Sequence, residues 1–458
     1  MMELNENNHV FFLGIGGIGM SGLAKYYLQQ GVHVSGYDRQ SSPITEELAQ
    51  NGAYIFYDDD EKLMKEKPEL VIYTPAIPKD SKIRMHFEKE GIEMVKRSEV
   101  LGWVTRNIDT IAVAGTHGKT TTSSMISFLL RESGIDHTAF LGGVAANYHS
   151  NFISDSHQLM VVEADEYDRS FLRLNPKWVV LTAMDPDHLD IYGTHEEMLK
   201  GYREFLQRIQ PGGFLLYRDD LLPYIGKEIM DELDSKDVET FSYGLDEGFY
   251  RTSNLHVENG IWHWDLVSPA GKIEGLSLLM SGRHNVLNAT AACALVLKTG
   301  GNEKDLIKAL PAFKGVSRRF EVRYKDDENV FIDDYAHHPQ ELVAAITAAK
   351  ETYGDPVTGV FQPHLYSRTR DLAQGFADAL DLLDEPVIID IYPAREIPIE
   401  GVSSQTIFDL MKNPKKKWLR GDDWISWIAE RKPKILITLG AGDLDKHIPD
   451  LIRQLYRK

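Results

Sequence analysis

One pattern recurs along the chain: a short apolar run, a glycine-rich turn, then a stretch whose apolar positions fall three and four apart. The first copy is the run at 9–13, the turn Gly14-Ile-Gly-Gly-Ile-Gly19 and a helix through 23–30. The second is the run at 111–114, the turn Gly115-Thr-His-Gly-Lys-Thr120 and a helix through 123–132. A third stretch alternates strands at 330–333, 357–361, 387–391 and 435–439 with helices at 340–352 and 369–383. Strands alternating with helices of this length predict parallel sheets joined by crossover helices. The three starts predict an α/β protein of three domains, 1–107, 108–320 and 321–458. Between 253 and 280 the pattern changes to short alternating strands, with Asn259-Gly260 and Pro269-Ala-Gly271 as turns. An antiparallel portion is therefore expected inside the central domain.

Composition narrows the partners. The chain has 458 residues, 43% hydrophobic and 26% charged, an ordinary globular mix with material for several cores. Acidic residues outnumber basic ones 69 to 50, a net charge of −19, which argues against a nucleic-acid partner. The one cysteine, Cys293, excludes an internal disulfide and fits a reducing compartment. The opening MMELNENNHV has neither a basic nor an apolar leader region, and no apolar run reaches ~18 residues. A cytoplasmic protein with no membrane partner is expected.

The turns hold the candidate chemistry. Gly14, Gly16 and Gly19, with the extra Gly17, lie between a strand and a helix, where backbone N–H groups can approach a diphosphate. Asp38 closes the next strand, 32–36, at the place of a ribose-binding acid. Such glycines can also serve close packing alone, and in isolation the loop reads equally as the dinucleotide site of an oxidoreductase. Gly115-Thr-His-Gly-Lys119-Thr120 is a shortened P-loop, with Lys119 for β/γ-phosphates and Thr120 for Mg²⁺. Two later apolar runs, at 159–162 and 178–182, end in Glu163-Ala-Asp165-Glu166 and in Asp185-Pro-Asp187-His188. Carboxylates at strand ends lie where such sheets bind ligands, so Glu163 and His188 are candidate metal ligands. Asn285 and Asn288 share the first turn of the helix after 282, as an adenine contact or, for Asn285, a helix cap. Arg318 and Arg319 precede the third domain. Asp333-Asp-Tyr-Ala-His-His-Pro339 and Gln362-Pro-His-Leu-Tyr-Ser-Arg-Thr-Arg370 end its first two strands. Arginines there suit carboxylate or phosphate, though Arg368 and Arg370 also read as surface charge.

Taken in order, Gly115-Thr-His-Gly-Lys-Thr-Thr-Thr122, Glu163-Ala-Asp-Glu166, Asp187-His188, Gly282-Arg-His-Asn-Val-Leu-Asn288 and Arg318-Arg-Phe320 resemble the signatures of the Mur ligases. These are the ATP-dependent amide-forming enzymes of peptidoglycan synthesis, and the resemblance covers nearly the whole chain. Gly14 to Gly22, Asp333 to Pro339 and Phe361-Gln-Pro-His-Leu-Tyr-Ser-Arg-Thr-Arg-Asp371 are similar to the members that join L-alanine to UDP-N-acetylmuramate. Recycling members that attach a tripeptide to the same nucleotide sugar are the alternative. An oxidoreductase leaves these motifs unused, and the intact metal and lysine positions count against a non-catalytic nucleotide-binding regulator.

The resemblance implies an N-terminal Rossmann-like domain for the UDP-sugar, a central P-loop domain for ATP, and a C-terminal Rossmann-like domain for the amino acid. It assigns Gly115, Thr116, His117, Gly118, Lys119, Thr120 and Thr121 to ATP, with Asn285 and Asn288 at the adenine and Arg319 and Asp334 closing on the nucleotide. It assigns Thr120 and Glu163 to one Mg²⁺ and His188 to a second. Gly14, Gly16, Gly17, Gly19, Met20, Ser21, Asp38, Thr74 and His117 go to the UDP-sugar. Tyr335, His337, His364 and Arg368 go to L-alanine. Because an imidazole titrates near neutrality, His337 or His364 is expected to accept the proton of its amine, the alternative being that both only orient it. The expected species is a monomer or weak homodimer. The chain departs from the family pattern in places. Leu365 stands where many relatives have arginine, and Glu166-Tyr-Asp-Arg-Ser-Phe171 replaces Glu-Ser-Asp-Ala-Ser-Phe. Some members hold the second metal with a carbamylated lysine; no lysine here matches that position, and the nearby Lys200 reads as a helix-face residue.

Overall fold

The computed structural model describes residues 5–64, 66–156, 158–394 and 396–456. The first four residues of the opening stretch read for a leader lie outside the described residues. No helix among those described is long and apolar enough to cross a membrane.

The N-terminal sheet holds β1 (His9–Leu13), β2 (His33–Tyr37), β3 (Tyr54–Phe56), β4 (Leu70–Tyr73) and β5 (Met94–Lys96), all parallel, in the order 3-2-1-4-5. Strand order reverses between β1 and β4, so a crevice opens at their carboxyl ends. The glycine turn follows β1 there, and Thr74 follows β4.

The central sheet holds β6 (Asp109–Ala114), β7 (Thr138–Ala145), β8 (Ser150–Ser154), β9 (Leu159–Ala164), β10 (Trp178–Leu181), β11 (Phe214–Arg218), β12 (Glu239–Gly244), β13 (Tyr250–Glu258), β14 (Ile261–Ser268) and β15 (Gly271–Leu278). Their order is 15-14-13-12-11-10-6-9-7-8. β6 lies between β10 and β9, and every residue from Thr110 to Ala114 is buried, which explains the unbroken apolar run. The expected antiparallel portion is β13–β14–β15. Asn259 (φ 53°) and Gly260 (φ 79°) both take positive φ, the two-residue turn whose twist suits a hairpin.

The C-terminal sheet holds β16 (Glu321–Lys325), β17 (Val330–Asp334), β18 (Val357–Phe361), β19 (Glu385–Ile388), β20 (Lys417–Trp418) and β21 (Ile435–Leu439), in the order 16-17-21-18-19-20. Only the edge strand β16 runs antiparallel to its neighbour. β17, β18 and β21 are buried along their full length. The carboxyl ends of β17 and β18 flank that of β21.

Boundaries differ from the periodicity in places. The helix expected over 123–132 begins at Lys119, because the P-loop glycine Gly118 is its N-cap. The helix expected over 369–383 is two, Tyr366–Asp371 and Ala373–Leu380, since Leu372 (φ −115°, ψ 16°) breaks it. The strand expected over 387–391 is Glu385–Ile388.

Packing divides the chain into two compact units. The first comprises Met1–Ser253, Leu266–Ile273 and Asn288–Ala309, and the second comprises Asn254–Asp265, Glu274–Leu287 and Leu310–Lys458. Inside the first unit one apolar cluster runs from Val10 through the N-terminal sheet and the central sheet to Val238. The helix Ile18–Gln29 packs on β7 and β8, where Tyr26 meets Phe140 (5.9 Å between ring centres) and Phe152 (6.4 Å). Beside them Asn151 is 1% exposed and gives its amide to Ile18 O (2.7 Å) and Ser21 Oγ (2.9 Å). Its oxygen accepts from the buried Lys25 (3.1 Å), which also bonds Glu47 (2.8 Å) and Ser150 (3.1 Å).

Candidate active site

The P-loop connects β6 to the helix Lys119–Glu132. Gly115 (φ 137°) and Gly118 (φ 79°) take conformations L side chains rarely adopt. Space excludes a side chain as well: a Cβ at Gly115 would lie 2.2 Å from Thr182 Oγ1, and one at Gly118 2.8 Å from Asn288 Oδ1. Thr182, just after β10, clamps the loop by donating to Ala114 O (3.1 Å) and to His117 O. Thr116 accepts from Asp185 N (3.1 Å), and His117 Nε2 lies 4.0 Å from Asp185. Thr120, Thr121 and Thr122 are buried at the helix start. Asn288 therefore faces the P-loop, whereas Asn285, 2% exposed, turns its amide back to Ser281 O (2.7 Å).

Lys119 donates to Gly115 O (2.6 Å) and to Glu166 (2.9 Å). Burial by itself would lower the lysine, but Glu166, Glu163 and Asp165 outweigh it and raise it well above the usual lysine range. It is firmly cationic. Glu166 is fully buried and is the residue the motif reading passed over, although it stands three places after Glu163 in the same segment. Its carboxylate also lies 3.7 Å from His188 Nε2, and its carbonyl accepts from Tyr192 (2.7 Å). His188 lies 3.7 Å from Asp187 too, with the Tyr167 ring edge-on to it at 5.3 Å.

Glu163 stands on β9 opposite Val113 of β6. Its carboxylate rests against Gly142, where a Cβ would come within 2.0 Å of Oε2. That cradle and the Thr120 hydroxyl present hard oxygen donors, which fit Mg²⁺. The imidazole of His188 fits less well, because Mg²⁺ prefers oxygen. Among the described residues no three His, Cys, Asp or Glu side chains group as a metal cage. A magnesium held largely by phosphate oxygens and water needs no such cage.

At the glycine turn, Gly14 takes φ 87° against Thr74, whose Cγ2 would be 3.0 Å from an added Cβ. Asp38 accepts from Gly16 N (2.7 Å) and Arg39 N (2.7 Å), so its carboxylate pins the loop as well as ending β2. The helix Ile18–Gln29 has Gly17 as N-cap with no side-chain cap. Met20 and Ser21, assigned to the sugar by resemblance, are buried at 2% and 0% exposure. Met20 joins the apolar cluster and Ser21 donates to Ile18 O (2.9 Å), so their side chains serve packing. Arg97, not anticipated, lies beside Gly19, its Nη1 2.8 Å from where a Cβ would stand, and reaches Asp165 at 3.4 Å.

The second unit gathers the other group of predicted residues at the ends of β17, β18 and β21. Arg318 is consumed internally: it bonds Asp333 (3.1 Å), Gly442 O (2.9 Å) and Gly440 O (2.7 Å). Arg319 places its guanidinium 5.1 Å over the Tyr335 ring and 3.5 Å from Glu341. Asp334 accepts from Phe320 N and Ala336 N, both at 2.7 Å; burial raises its pKa to about 7 against the pull of Arg319. The His337 ring lies 6.1 Å from that of His364, which stacks on Tyr392 at 5.9 Å. Burial lowers His337 to about 4, with Glu341 opposing and Arg368 and Arg319 assisting. A group so weakly basic suits accepting a hydrogen bond from an amine better than storing its proton. Arg370, offered as a ligand cation, instead pairs with Asp371 at the surface (2.7 Å).

The departures have local explanations. Leu365 takes φ 70°, outside the range comfortable for a branched side chain, and caps the helix Tyr366–Asp371. Arg169 pairs with Glu197 (3.7 Å) and Glu204 (3.8 Å), and Asp168 with Lys96 (2.7 Å). Lys200 is exposed on the helix His195–Leu206.

A P-loop at the carboxyl end of a parallel sheet, with its lysine held by a buried carboxylate, defines an α/β protein that binds nucleotide phosphates. Residues 9–108 match the Mur ligase family catalytic domain, 113–296 the Mur ligase middle domain, and 318–441 the Mur ligase glutamate ligase domain. The chain belongs to the Mur ligase family. It is 43% identical to the UDP-N-acetylmuramate–L-alanine ligase of Phocaeicola vulgatus, covering 100% of both chains. It is 42% identical to the enzyme of the same name from Flavobacterium johnsoniae, covering 99% of each. Among solved structures it resembles the UDP-N-acetylmuramate–alanine ligase of Thermotoga maritima, with a TM-score of 0.80 at 26% identity over 98% of this chain and 99% of that one. A murein peptide ligase from Psychrobacter arcticus shares the fold, with a TM-score of 0.72 at 22% identity over 98% and 99%.

Proposed function

We propose that this chain joins L-alanine to UDP-N-acetylmuramate with ATP, yielding UDP-N-acetylmuramoyl-L-alanine, ADP and phosphate. The observation that carries this reading is Lys119, held cationic by a buried carboxylate on the P-loop of a chain alike end to end to ligases of that name. The tripeptide-adding alternative has less support, since the peptide ligase is similar in fold at lower identity.

The chemistry follows from the reactants. A carboxylate acylates poorly, so the sugar's carboxylate first attacks the γ-phosphate and ADP departs, leaving an acyl phosphate. Lys119 and the P-loop N–H groups offset charge on the transferring group, where positioning and electrostatics supply most of the acceleration. Thr120 and Glu163 would hold one Mg²⁺ and His188 would stand near a second, and the metal would supply Lewis-acid neutralisation of the phosphate oxygens when bound. The neutral alanine amine then attacks the acyl carbon, and phosphate leaves from the tetrahedral intermediate as the amine's proton passes to water. His337 orients that amine through Nε2, and Arg368, His364 and Tyr335 complete its pocket. Asn285 and Asn288 serve the adenine side, and Arg319 and Asp334 close on ATP. Gly14, Gly16, Gly17, Gly19, Asp38 and Thr74, joined by Arg97, hold the UDP-sugar in the first domain, 1–107. Domain 108–320 holds ATP and domain 321–458 the amino acid. One chain carries every residue named, which supports a monomer or weak homodimer, and the use of ATP and a UDP-sugar supports a cytoplasmic setting.

Phosphate release from ATP is the test. It should require both UDP-N-acetylmuramate and L-alanine. Release with the tripeptide and none with alanine would establish the alternative.

A further inference from the structure

Glu341 belongs to none of the motifs that point to a ligand, yet two of the side chains assigned to ligands meet on it. It occupies the third position of the helix Pro339–Tyr353, whose N-cap is His338. A glutamate at that position commonly reaches back to cap the helix. Here Oε2 instead accepts from His337 N, the residue before the N-cap, at 3.0 Å. The same carboxylate then goes further. Oε2 also lies 3.3 Å from His337 Nδ1, and Oε1 lies 3.5 Å from the Arg319 guanidinium. The ring closes through Tyr335, whose carbonyl is 3.0 Å from His337 Nδ1 and whose face lies 5.1 Å under Arg319.

This arrangement decides the protonation of the imidazole. Both neighbours of Nδ1, the Tyr335 carbonyl and the Glu341 carboxylate, only accept hydrogen bonds, so the ring hydrogen resides on Nδ1. In the neutral ring Nε2 is then left as the acceptor, on the edge away from Glu341. Glu341 is mostly buried, with 15% of its side chain exposed, so its charge is weakly screened from both partners.

We infer that Glu341 is a positioning residue: it fixes the Nδ1–H tautomer and ring orientation of His337 while tethering Arg319, so that the amino-acid pocket and the arginine proposed to face ATP are set together. The inference rests on the proposed alanine-adding reaction for its consequence, but the tautomer itself is independent of that reading.

Glu341→Gln separates the charge from the backbone bond. Its amide oxygen still accepts from His337 N, while the negative charge that faces Nδ1 and Arg319 is gone. Wild type and variant are compared by phosphate release and by ¹⁵N resonances of histidine-labelled protein, His337 being assigned with His337→Gln. The expected result is a KM for L-alanine raised about tenfold with the KM for UDP-N-acetylmuramate within about twofold, and displaced His337 ring resonances. Unchanged His337 resonances, or an unchanged alanine KM in a preparation whose wild type is active, would overturn the inference. A wild type without alanine-dependent release would refute the functional reading instead, and the resonances alone would then decide the role of Glu341.

Discussion

Lys119 Nζ and Glu166 Oε2 stand 2.9 Å apart, with no part of the glutamate side chain exposed and 13% of the lysine. A buried charge that loses its partner is costly, about 3–5 kcal/mol, so the pair bears on folding as well as on phosphate. Lys119→Met should abolish phosphate release and also lower the thermal midpoint. Adding Glu166→Gln to it should recover much of the midpoint and none of the activity. Calorimetry and a phosphate assay on both variants check this, and equal midpoints would show that the pair is not buried in solution.

Gly142 is the mould for Glu163. An alanine there would bring its Cβ within 2.0 Å of Oε2, displacing the carboxylate from the place where it fits Mg²⁺. Gly142→Ala should fold and yet need about tenfold more Mg²⁺ for half-maximal phosphate release. Chelation with EDTA should stop release by the wild type. A magnesium titration identical to wild type would show that Glu163 does not bear on the metal.

Asp334 predicts a pH effect of known sign. Burial raises it from 3.8 to about 7, so the folded protein holds a proton that the unfolded chain releases in between. Its contribution to stability is therefore full below pH ~4 and declines as pH rises through about 7. Asp334→Asn lacks that contribution. The wild type's lead in unfolding free energy should be largest near pH ~4 and shrink toward pH ~7, measured by denaturant titration. A lead that grows with pH would mean that the carboxyl is held ionised.

Asn151 ties the helix Ile18–Gln29 to β8 through three bonds, at 2.7, 2.9 and 3.1 Å. Asn151→Ala leaves buried Lys25 short of an acceptor, and each unmade bond to a charged group costs roughly 1.5–3 kcal/mol. The first transition in thermal unfolding should fall by several degrees. An unmoved transition would place little of the docking energy in this contact.

The fold and the P-loop were legible because both are local. A strand, two glycines, a lysine and a helix occupy consecutive residues, and the conformations of Gly115 and Gly118 follow from that order. Glu166 and Glu341 were not, because nothing in their own neighbourhoods shows that a lysine 47 positions away or an arginine 22 positions away will pair with them. Arg318 and Arg319 show the limit plainly. They read as equals, and both guanidiniums lie over the Tyr335 ring, but the left-handed backbone at Arg318 (φ 60°) accompanies a side chain bound to the carbonyls of Gly440 and Gly442, and Arg319 is the one that meets Glu341. Ser21 likewise resembled a ligand contact until Asn151, 130 residues on, claimed its hydroxyl.

The apolar cluster extending from Val10 to Val238 means that the first two sheets share one fate when the chain is denatured or inherited. Heating should melt this protein in two stages rather than three, with limited proteolysis cutting near residue 310 more readily than near 107. A chimaera that takes its first hundred residues from another member would need matching partners for Tyr26, Lys25 and Ser21. Otherwise the transplanted module would arrive folded but undocked, and specificity for the nucleotide sugar could not be exchanged by swapping that module alone.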